Sequence, residues 1–566
     1  MLTSALREME KGNSIFEREI RKFQAPVCRI FLDDQGRIAP VVFTSTGQVL
    51  SAGNSAAARQ EFSRIANAGG SRLLQARGVN PAPPSGKKVA VLFSGGPAAG
   101  GHNVIAGLKT ALGKKNTLLG VRGGPAGLLA GSLFKITDKD IKRILNTGGF
   151  DFLGSDRTKI KTPEQFAQVK KVCVRYKLDA LVIIGGDDSN TNAALLAEYL
   201  FAGVKKDGSG IQVIGVPKTI DGDLQAGRLL PISFGFDTAT KIYAELVGNI
   251  LQDTPSSRKY WHFIKLMGRA ASHVALEVAL QTRPAVTLIS EEIAEKKIPL
   301  HKIVKSIADT VVRRYRKGLR YGVVIIPEGL IEFIPDITSL LKTLNELTAK
   351  YAPELNGLAL DKRPEFAARK LSGSKALLFR SLPGYIQEML LLDRDSHGNL
   401  QVSQVPTERL LIDMVAAHLK KNVPDVQFSP NSHFFGYEGR CGAPSLFDAA
   451  FTFNLGLTAG SLVLANHTGY MAAFTDLQKG GRVLAIPLTG LLNIERRHGR
   501  EEMVIAKALV KTNSRAFKFL ASRRRDWAGS DLFTSPGPRQ LWGPAARQTP
   551  ISVALNQGYA NLNFEL

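Results

Sequence analysis

From Val89 the chain sets out short, unbroken apolar runs that each stop at glycines or acidic residues: VAVLFSGG, then LDALVIIGGDDS, then IQVIGVPKTIDGD. Runs of this length, rich in Val and Ile and without polar alternation, are too short for most helices and fit strands buried on both faces of a parallel sheet. Between them NVIAGLKTALGK and NTNAALLAEYLF carry apolar residues at helical spacing. Strand–helix alternation predicts an α/β, doubly wound architecture with a mainly parallel sheet. A second set starts near residue 260, with HFIKLMG, AVTLISEE and YGVVIIPEG. It predicts a second α/β domain, the loop ends of the two facing a shared cleft.

At 566 residues the chain is long enough for more than one domain. The expected division is an N-terminal extension over 1–85, ending in the loop-like NPAPPSGKK, and α/β domains over 86–245 and 246–480. The second carries a polar, proline-interrupted and helical insertion around 350–420. A C-terminal segment, 481–566, is expected to pack over the body. No repeat of solenoid length is present.

Composition changes this picture little: 44% hydrophobic and 22% charged residues are ordinary for a globular protein. Three cysteines without a spaced pair give neither a disulfide framework nor a zinc motif, and suit a reducing compartment. The first 23 residues lack the apolar core of a signal peptide. The stretch Leu455 to Phe474, interrupted by Asn466 and His467, reads as a buried helix. The expectation is a cytoplasmic protein with no membrane contact. A formal charge of +25 raises the question of nucleic acid. The clusters Arg313-Arg314-Tyr315-Arg316-Lys317, Arg496-Arg497 and Arg523-Arg524-Arg525 are short, scattered and accompanied by no nucleic-acid module. A positive field serves small anionic substrates equally well.

Open α/β sheets bind ligands beyond the C-terminal ends of their strands, and three such loops here are chemically loaded. The first, Ser94-Gly95-Gly96-Pro97-Ala98-Ala99-Gly100-Gly101-His102-Asn103, allows close backbone approach to an anion at a helix start. It matches neither the Walker A pattern nor GxGxxG, and a Gly-rich turn with packing value alone is the competing reading. The second is Gly185-Gly186-Asp187-Asp188-Ser189. Asp187 suits a magnesium ion, which takes one or two carboxylates plus phosphate oxygens and water; the alternative is that Asp188 or Ser189 caps the next helix. The third, Pro217-Lys218-Thr219-Ile220-Asp221-Gly222-Asp223, sets a cation beside two carboxylates. Lys218 can neutralise a phosphate and Asp221 can accept a proton from an attacking hydroxyl. A salt-bridged surface turn is the plain alternative.

Together and in this order, GGxxxGGHN, GGDDS and PKTIDGD resemble the phosphofructokinase family. The resemblance continues through Lys265-Leu266-Met267-Gly268-Arg269, Ile326-Pro327-Glu328-Gly329 and Gly436-Tyr437-Glu438-Gly439-Arg440. It covers about residues 88–480, and SPGPRQLWGP resembles the C-terminal segment of the family's long-chain, pyrophosphate-using members. The resemblance implies reversible phosphoryl transfer to the 1-hydroxyl of fructose 6-phosphate, as in glycolysis. It implies Gly96 at the phosphoryl donor, Asp187 at Mg2+ and Asp221 as proton acceptor, with Thr219 and Ile220 lining the substrate site. Met267, Gly268, Arg269, Glu328, Tyr437, Glu438, Gly439 and Arg440 would hold the sugar phosphate. Lys259 and Tyr260 would enter the active site of a neighbouring subunit, which implies a homodimer or larger homo-oligomer.

Donor choice turns on two positions. ATP-using members of the family generally have glycine where this chain has Asp188 and Lys218. A carboxylate at Asp188 would repel the part of a nucleotide beyond the transferred phosphates, while Lys218 adds charge for a compact donor; both point to pyrophosphate. Two departures from the family pattern stand out: Pro97, which removes a backbone donor near the anion, and Asp156, a negative charge where relatives have glycine. The rival readings are an ATP-dependent enzyme on this scaffold, a weakly active regulatory subunit, and a basic nucleic-acid-binding protein.

Overall fold

The computed structural model describes residues 14–50, 56, 60–201, 210–391, 405–497, 500–540 and 542–566. The expected first helical turns (1–13), part of the expected insertion (392–404) and Leu541 of SPGPRQLWGP lie outside the described residues. The strands, in chain order, are β1 (Val41–Val49), β2 (Arg72–Val79), β3 (Lys88–Ser94), β4 (Thr117–Val121), β5 (Leu133–Lys135), β6 (Ser155–Asp156), β7 (Ala180–Gly185), β8 (Gln212–Thr219) and β9 (Phe234–Gly235). They continue as β10 (Trp261–Leu266), β11 (Val286–Thr287), β12 (Gly322–Pro327), β13 (Pro430–Phe435), β14 (Tyr470–Thr475), β15 (Arg482–Pro487), β16 (Leu492–Arg497) and β17 (Arg500–Ile505).

The chain forms two compact units, divided otherwise than the apolar runs suggested. Unit 1 comprises residues 1–239, 438–508 and 539–566; unit 2 comprises 240–437 and 509–538. The expected N-terminal extension is therefore part of unit 1, and the expected second domain and C-terminal segment are each shared out. The physical reason is strand pairing at long sequence range: β1, β2, β14 and β15 hydrogen-bond into the first sheet.

That sheet runs β1-β2-β15-β14-β8-β7-β3-β4-β5, with β6 on β3 and β9 on β8. Its centre, β14-β8-β7-β3-β4, is parallel, while β15, β2, β1 and β5 are antiparallel additions. Alternate residues of the central strands point to opposite faces. Ala90, Leu92, Leu181, Ile183, Val213 and Ile486 join one buried cluster with the helix Asp187–Leu200. On the other face lie two helices, Gly101–Leu112 and Leu446–Leu464, which cross at glycines. A Cβ on Gly107 would sit 2.0 Å from the Phe453 carbonyl oxygen, and one on Gly456 would sit 2.2 Å from that of Val104. The stretch expected as one helix from Leu455 to Phe474 is instead the end of Leu446–Leu464, a turn, and β14; Asn466, at φ 59, marks the break. Leu446–Leu464 is apolar and long enough to cross a membrane, yet 94% of its most hydropathic window is buried inside the fold.

From β3 the chain passes through Gly101–Leu112 to β4, on one side; from β7 it passes through Asp187–Leu200 to β8, on the other. The loops after β3 and β7 thus diverge at a topological switch point, the place where open sheets form a crevice. Register brings them level, with Phe93 beside Ile184 and Gly185 beside Pro217.

Unit 2 holds a parallel four-stranded sheet, β11-β12-β10-β13. Its strands β10 and β12 are buried against the helices Leu300–Arg316, Pro335–Lys350 and Thr407–Asn422, while β13 lies at the edge, half-buried to exposed. The described part of 350–420 is a series of short helices ending in Thr407–Asn422. Helix Arg515–Gly529 is clamped onto this unit by Arg524, whose guanidinium donates twice to Glu292, each at 2.7 Å.

Candidate active site

The first loop is set by glycine geometry and by β6. Gly95 has φ +86; its N–H donates to the Asp156 carbonyl (2.8 Å) and its carbonyl accepts the Ser155 hydroxyl (2.5 Å). A side chain at Gly95 would be strained, and its Cβ would lie 3.6 Å from Lys218 Nζ. At Gly96 a Cβ would lie 3.7 Å from one Arg157 guanidinium nitrogen and 3.9 Å from one of Arg440. The glycines therefore give this turn an open backbone facing three cations.

In the second loop the helix-cap alternative fails. Gly186 is the N-cap, without a side-chain cap bond, and Asp187 and Asp188 both lie in the first turn. Ser189 donates to Ser94 Oγ (2.8 Å), tying the second loop to the first. Asn190 donates to the carbonyls of Gly185 (2.7 Å) and Gly186 (2.9 Å), holding the turn from beneath. Asp187 Oδ2 is buried with no hydrogen-bond partner. Burial raises the Asp187 pKa, Lys507 opposes the rise, and the nearby Asp188 and Asp223 add to it. A buried, unsatisfied carboxylate oxygen is costly unless a cation meets it, so this position fits a metal ion. Among the described residues no group of three or more His, Cys, Asp or Glu could hold a metal, so phosphate oxygens and water would complete its shell. Asp188 points elsewhere, into an ion pair with Lys159 at 3.1 Å, each side chain about half exposed.

The third loop is no surface turn: Lys218 is only 7% exposed and Asp223 only 4%. Burial lowers the Lys218 pKa to about 8, against the attraction of Asp221, Asp223 and Asp187. Thr219 Oγ1 donates to the Asp223 carboxylate (3.1 Å) and accepts the Asp221 N–H (3.1 Å), so one hydroxyl ties the Asp223 side chain to the Asp221 backbone. Ile220 is buried beneath them. These loops enclose a cavity of about 290 Å³ lined by Gly96, Asp187, Asp188, Lys218, Thr219 and Asp221 among others.

Sequence reasoning missed four residues there: Arg157, Lys159, Asp223 and Lys507 all line the cavity. Asp223 closes the third loop, and Arg157 and Lys159 follow closely on Asp156. Lys507, with Nζ 3.6 Å from Asp223 Oδ2 and 4.0 Å from Asp187 Oδ2, had no local signal at all.

The two departures resolve differently. Asp156 does not line the cavity. Its carboxylate accepts the N–H groups of Ala126 (3.2 Å) and Thr158 (3.1 Å) and the Thr158 hydroxyl, so its charge is spent on the turn that aims Arg157. Pro97 is half-buried, with Ala98 and Ala99 fully buried behind it.

In unit 2 the expected sugar residues gather at one edge. Leu266 is in register with Pro327 and Phe435, so the residues that follow, Met267-Gly268-Arg269, Glu328 and Gly436-Tyr437, emerge side by side. Gly268, at φ +130, donates its N–H to Glu328 Oε2 (3.0 Å), and a Cβ on Gly329 would collide with the Arg269 carbonyl oxygen at 1.9 Å. Glu438, Gly439 and Arg440 belong to unit 1, so this motif spans the boundary between units. Lys259 and Tyr260 precede β10, at the end of the strand opposite Met267, roughly 20 Å away at ~3.3 Å per residue. Within unit 2 they cannot reach the Met267 edge.

Comparison with known proteins places this geometry. Residues 88–463 match the phosphofructokinase family model. The chain belongs to the phosphofructokinase family. Its similarity to curated proteins is extensive: it is 48% identical, over 80% of this chain and 84% of the relative, to a pyrophosphate–fructose 6-phosphate 1-phosphotransferase from Entamoeba histolytica. A Treponema pallidum protein of the same name is 49% identical, with 83% of each chain covered. Among solved structures, the pyrophosphate-dependent phosphofructokinase from Nitrosospira multiformis superimposes with a TM-score of 0.52 at 17% identity, covering 83% of this chain and 96% of that one. At that identity the last comparison speaks to the phosphofructokinase fold alone.

Proposed function

We propose that this phosphofructokinase transfers phosphoryl reversibly between pyrophosphate and the 1-hydroxyl of fructose 6-phosphate. One observation carries the donor assignment. The cavity at the switch point is small, with Lys218 buried against Gly95 and the Asp188–Lys159 pair on its wall. A compact donor satisfies Lys218, whereas the sugar and base of a nucleotide would have to pass a carboxylate. The naming of the Entamoeba and Treponema relatives supports the same donor.

In this reading Gly96 offers open backbone to pyrophosphate, flanked by Arg157 and Arg440, and Lys218 supplies fixed positive charge against the negative charge of the phosphoryl group in flight. Mg2+ held by Asp187 would neutralise further charge on the transferred group. Asp221 removes the 1-hydroxyl proton as phosphoryl transfer proceeds, and returns it in reverse. Thr219 keeps Asp221 and Asp223 in place. Met267, Gly268, Arg269, Glu328, Tyr437, Glu438, Gly439 and Arg440 bind fructose 6-phosphate, Arg269 as a bidentate anion ligand. Lys259 and Tyr260 complete the active site of a second copy, making the enzyme a homodimer or a larger homo-oligomer.

The test is formation of fructose 1,6-bisphosphate by the purified protein with Mg2+, given pyrophosphate or ATP separately. Turnover with pyrophosphate and little with ATP is expected. Turnover with ATP alone would keep the family and overturn the donor.

A further inference from the structure

Lys507 stands outside everything the family match covers, which ends at residue 463, yet it lines the donor cavity. Its route there is built. The antiparallel hairpin β16–β17 ends at Ile505, whose N–H donates to Thr191 Oγ1 (3.0 Å) on the first turns of the helix Asp187–Leu200. Three residues on, the Ala508 N–H donates to the Asp223 carbonyl (2.7 Å). Lys507 is thus pinned on both sides, to the second and third loops together.

The side chain so placed has an incomplete job. Its Nζ stands 3.6 Å from Asp223 Oδ2 and 4.0 Å from Asp187 Oδ2. These separations allow Coulomb attraction, but both exceed hydrogen-bond length. The ammonium therefore balances two carboxylates while its N–H donors are directed to neither. It remains about one-third exposed, on the wall of a cavity that otherwise presents Lys218, Arg157 and Lys159 as cations against Asp187, Asp188, Asp221 and Asp223. Before any donor enters, its four acidic residues equal its four basic ones with Lys507 counted, and outnumber them without it. A multiply charged anion entering such a site needs that last cation.

We propose that Lys507 is a pyrophosphate-binding residue supplied by the C-terminal hairpin: it holds Asp187 and Asp223 as their counter-charge and donates hydrogen bonds to the donor's phosphate oxygens. The proposal rests on the pyrophosphate reading of the cavity and deepens it. A donor ligand carried beyond the shared family domain ties preference for a compact donor to the hairpin.

The experiment compares the full-length wild type with Lys507→Met and Lys507→Arg. Pyrophosphate binding with Mg2+ and without sugar is followed by calorimetry, and KM for each substrate by turnover. Loss of one charge-assisted hydrogen-bonding group predicts pyrophosphate affinity weakened about 10- to 100-fold in Lys507→Met. The KM for fructose 6-phosphate should stay within about twofold, and Lys507→Arg should recover most of the affinity. Unchanged pyrophosphate affinity in Lys507→Met would overturn the proposal. So would an equal loss of both substrates with no recovery in Lys507→Arg, which marks a merely structural residue. A wild type that binds no pyrophosphate sinks the donor reading itself; a wild type that binds it, with a methionine variant that binds as tightly, sinks only the role of Lys507.

Discussion

Lys218 is an ammonium buried among Asp187, Asp221 and Asp223, and burial outweighs their attraction, bringing its pKa to about 8 from an ordinary 10.5. The proposed role of its charge in meeting a polyanionic donor predicts that kcat/KM for pyrophosphate falls as pH rises through about 8, the free-enzyme value. Folding stability moves the other way. Between about 8 and 10.5 the unfolded chain binds the proton that the folded chain has released, so this residue's contribution rises with pH across that window. In Lys218→Arg, whose guanidinium does not titrate there, the alkaline activity limb should disappear or move upward. An unmoved limb would assign the titration to another group. Residues like Lys218, Asp187 and Asp221 were legible because each follows an apolar strand run directly, where the sheet must end and a ligand crevice begins. Lys507 was not, because its place depends on two hydrogen bonds to loops hundreds of residues earlier, and a single lysine after a hairpin carries no pattern. Asp156 was legible as an anomaly but not in its role: only the structure shows its carboxylate turned onto the amides of Ala126 and Thr158.

At the scale of elements, the crossing of helices Gly101–Leu112 and Leu446–Leu464 fixes the helix that follows the first glycine-rich loop. Gly107 and Gly456 bring the two backbones into contact, each glycine occupying space that a Cβ would share with a carbonyl of the opposite helix. Gly456→Ala should therefore cost about 1–3 kcal/mol, the usual range for overpacking a tight interface, and more if the helices cannot separate. Urea unfolding of the variant measures it; an unshifted midpoint would show that the helices slide apart freely. The strand runs themselves were readable from β-branched, two-face-buried composition. The helix ending at Leu464 was not, since the apolar content of Leu455 to Phe474 is continuous and only Asn466 and Gly469, both at positive φ, divide helix from strand. The antiparallel strand β1 was hidden for a different reason: it lies at the edge of the sheet with mostly exposed residues, and so reads as a polar extension.

For the whole molecule, the division into units follows pairing rather than sequence order, which is why no composition shift marks it. The chain passes between units after residues 239, 437, 508 and 538, and the Gly436–Arg440 motif straddles the second of these. The placement of Lys259 and Tyr260 at the far end of β10 from Met267 makes a prediction about assembly. Lys259→Ala and Asp221→Asn should each be nearly inactive alone. After co-refolding at equal amounts they should regain about a quarter of wild-type activity, the statistical share of intact sites in a randomly reassorted two-fold dimer. No recovery in mixtures shown to contain hybrids would place both residues in the same chain's site.

The most direct measurement is the ratio of kcat/KM for pyrophosphate to that for ATP, taken for the wild type and for the double variant Asp188→Gly, Lys218→Gly. The account predicts a large ratio in the wild type and a collapse in the variant, through lost pyrophosphate use and some admission of ATP. A wild type that prefers ATP, or a double variant with the wild-type ratio, would contradict it.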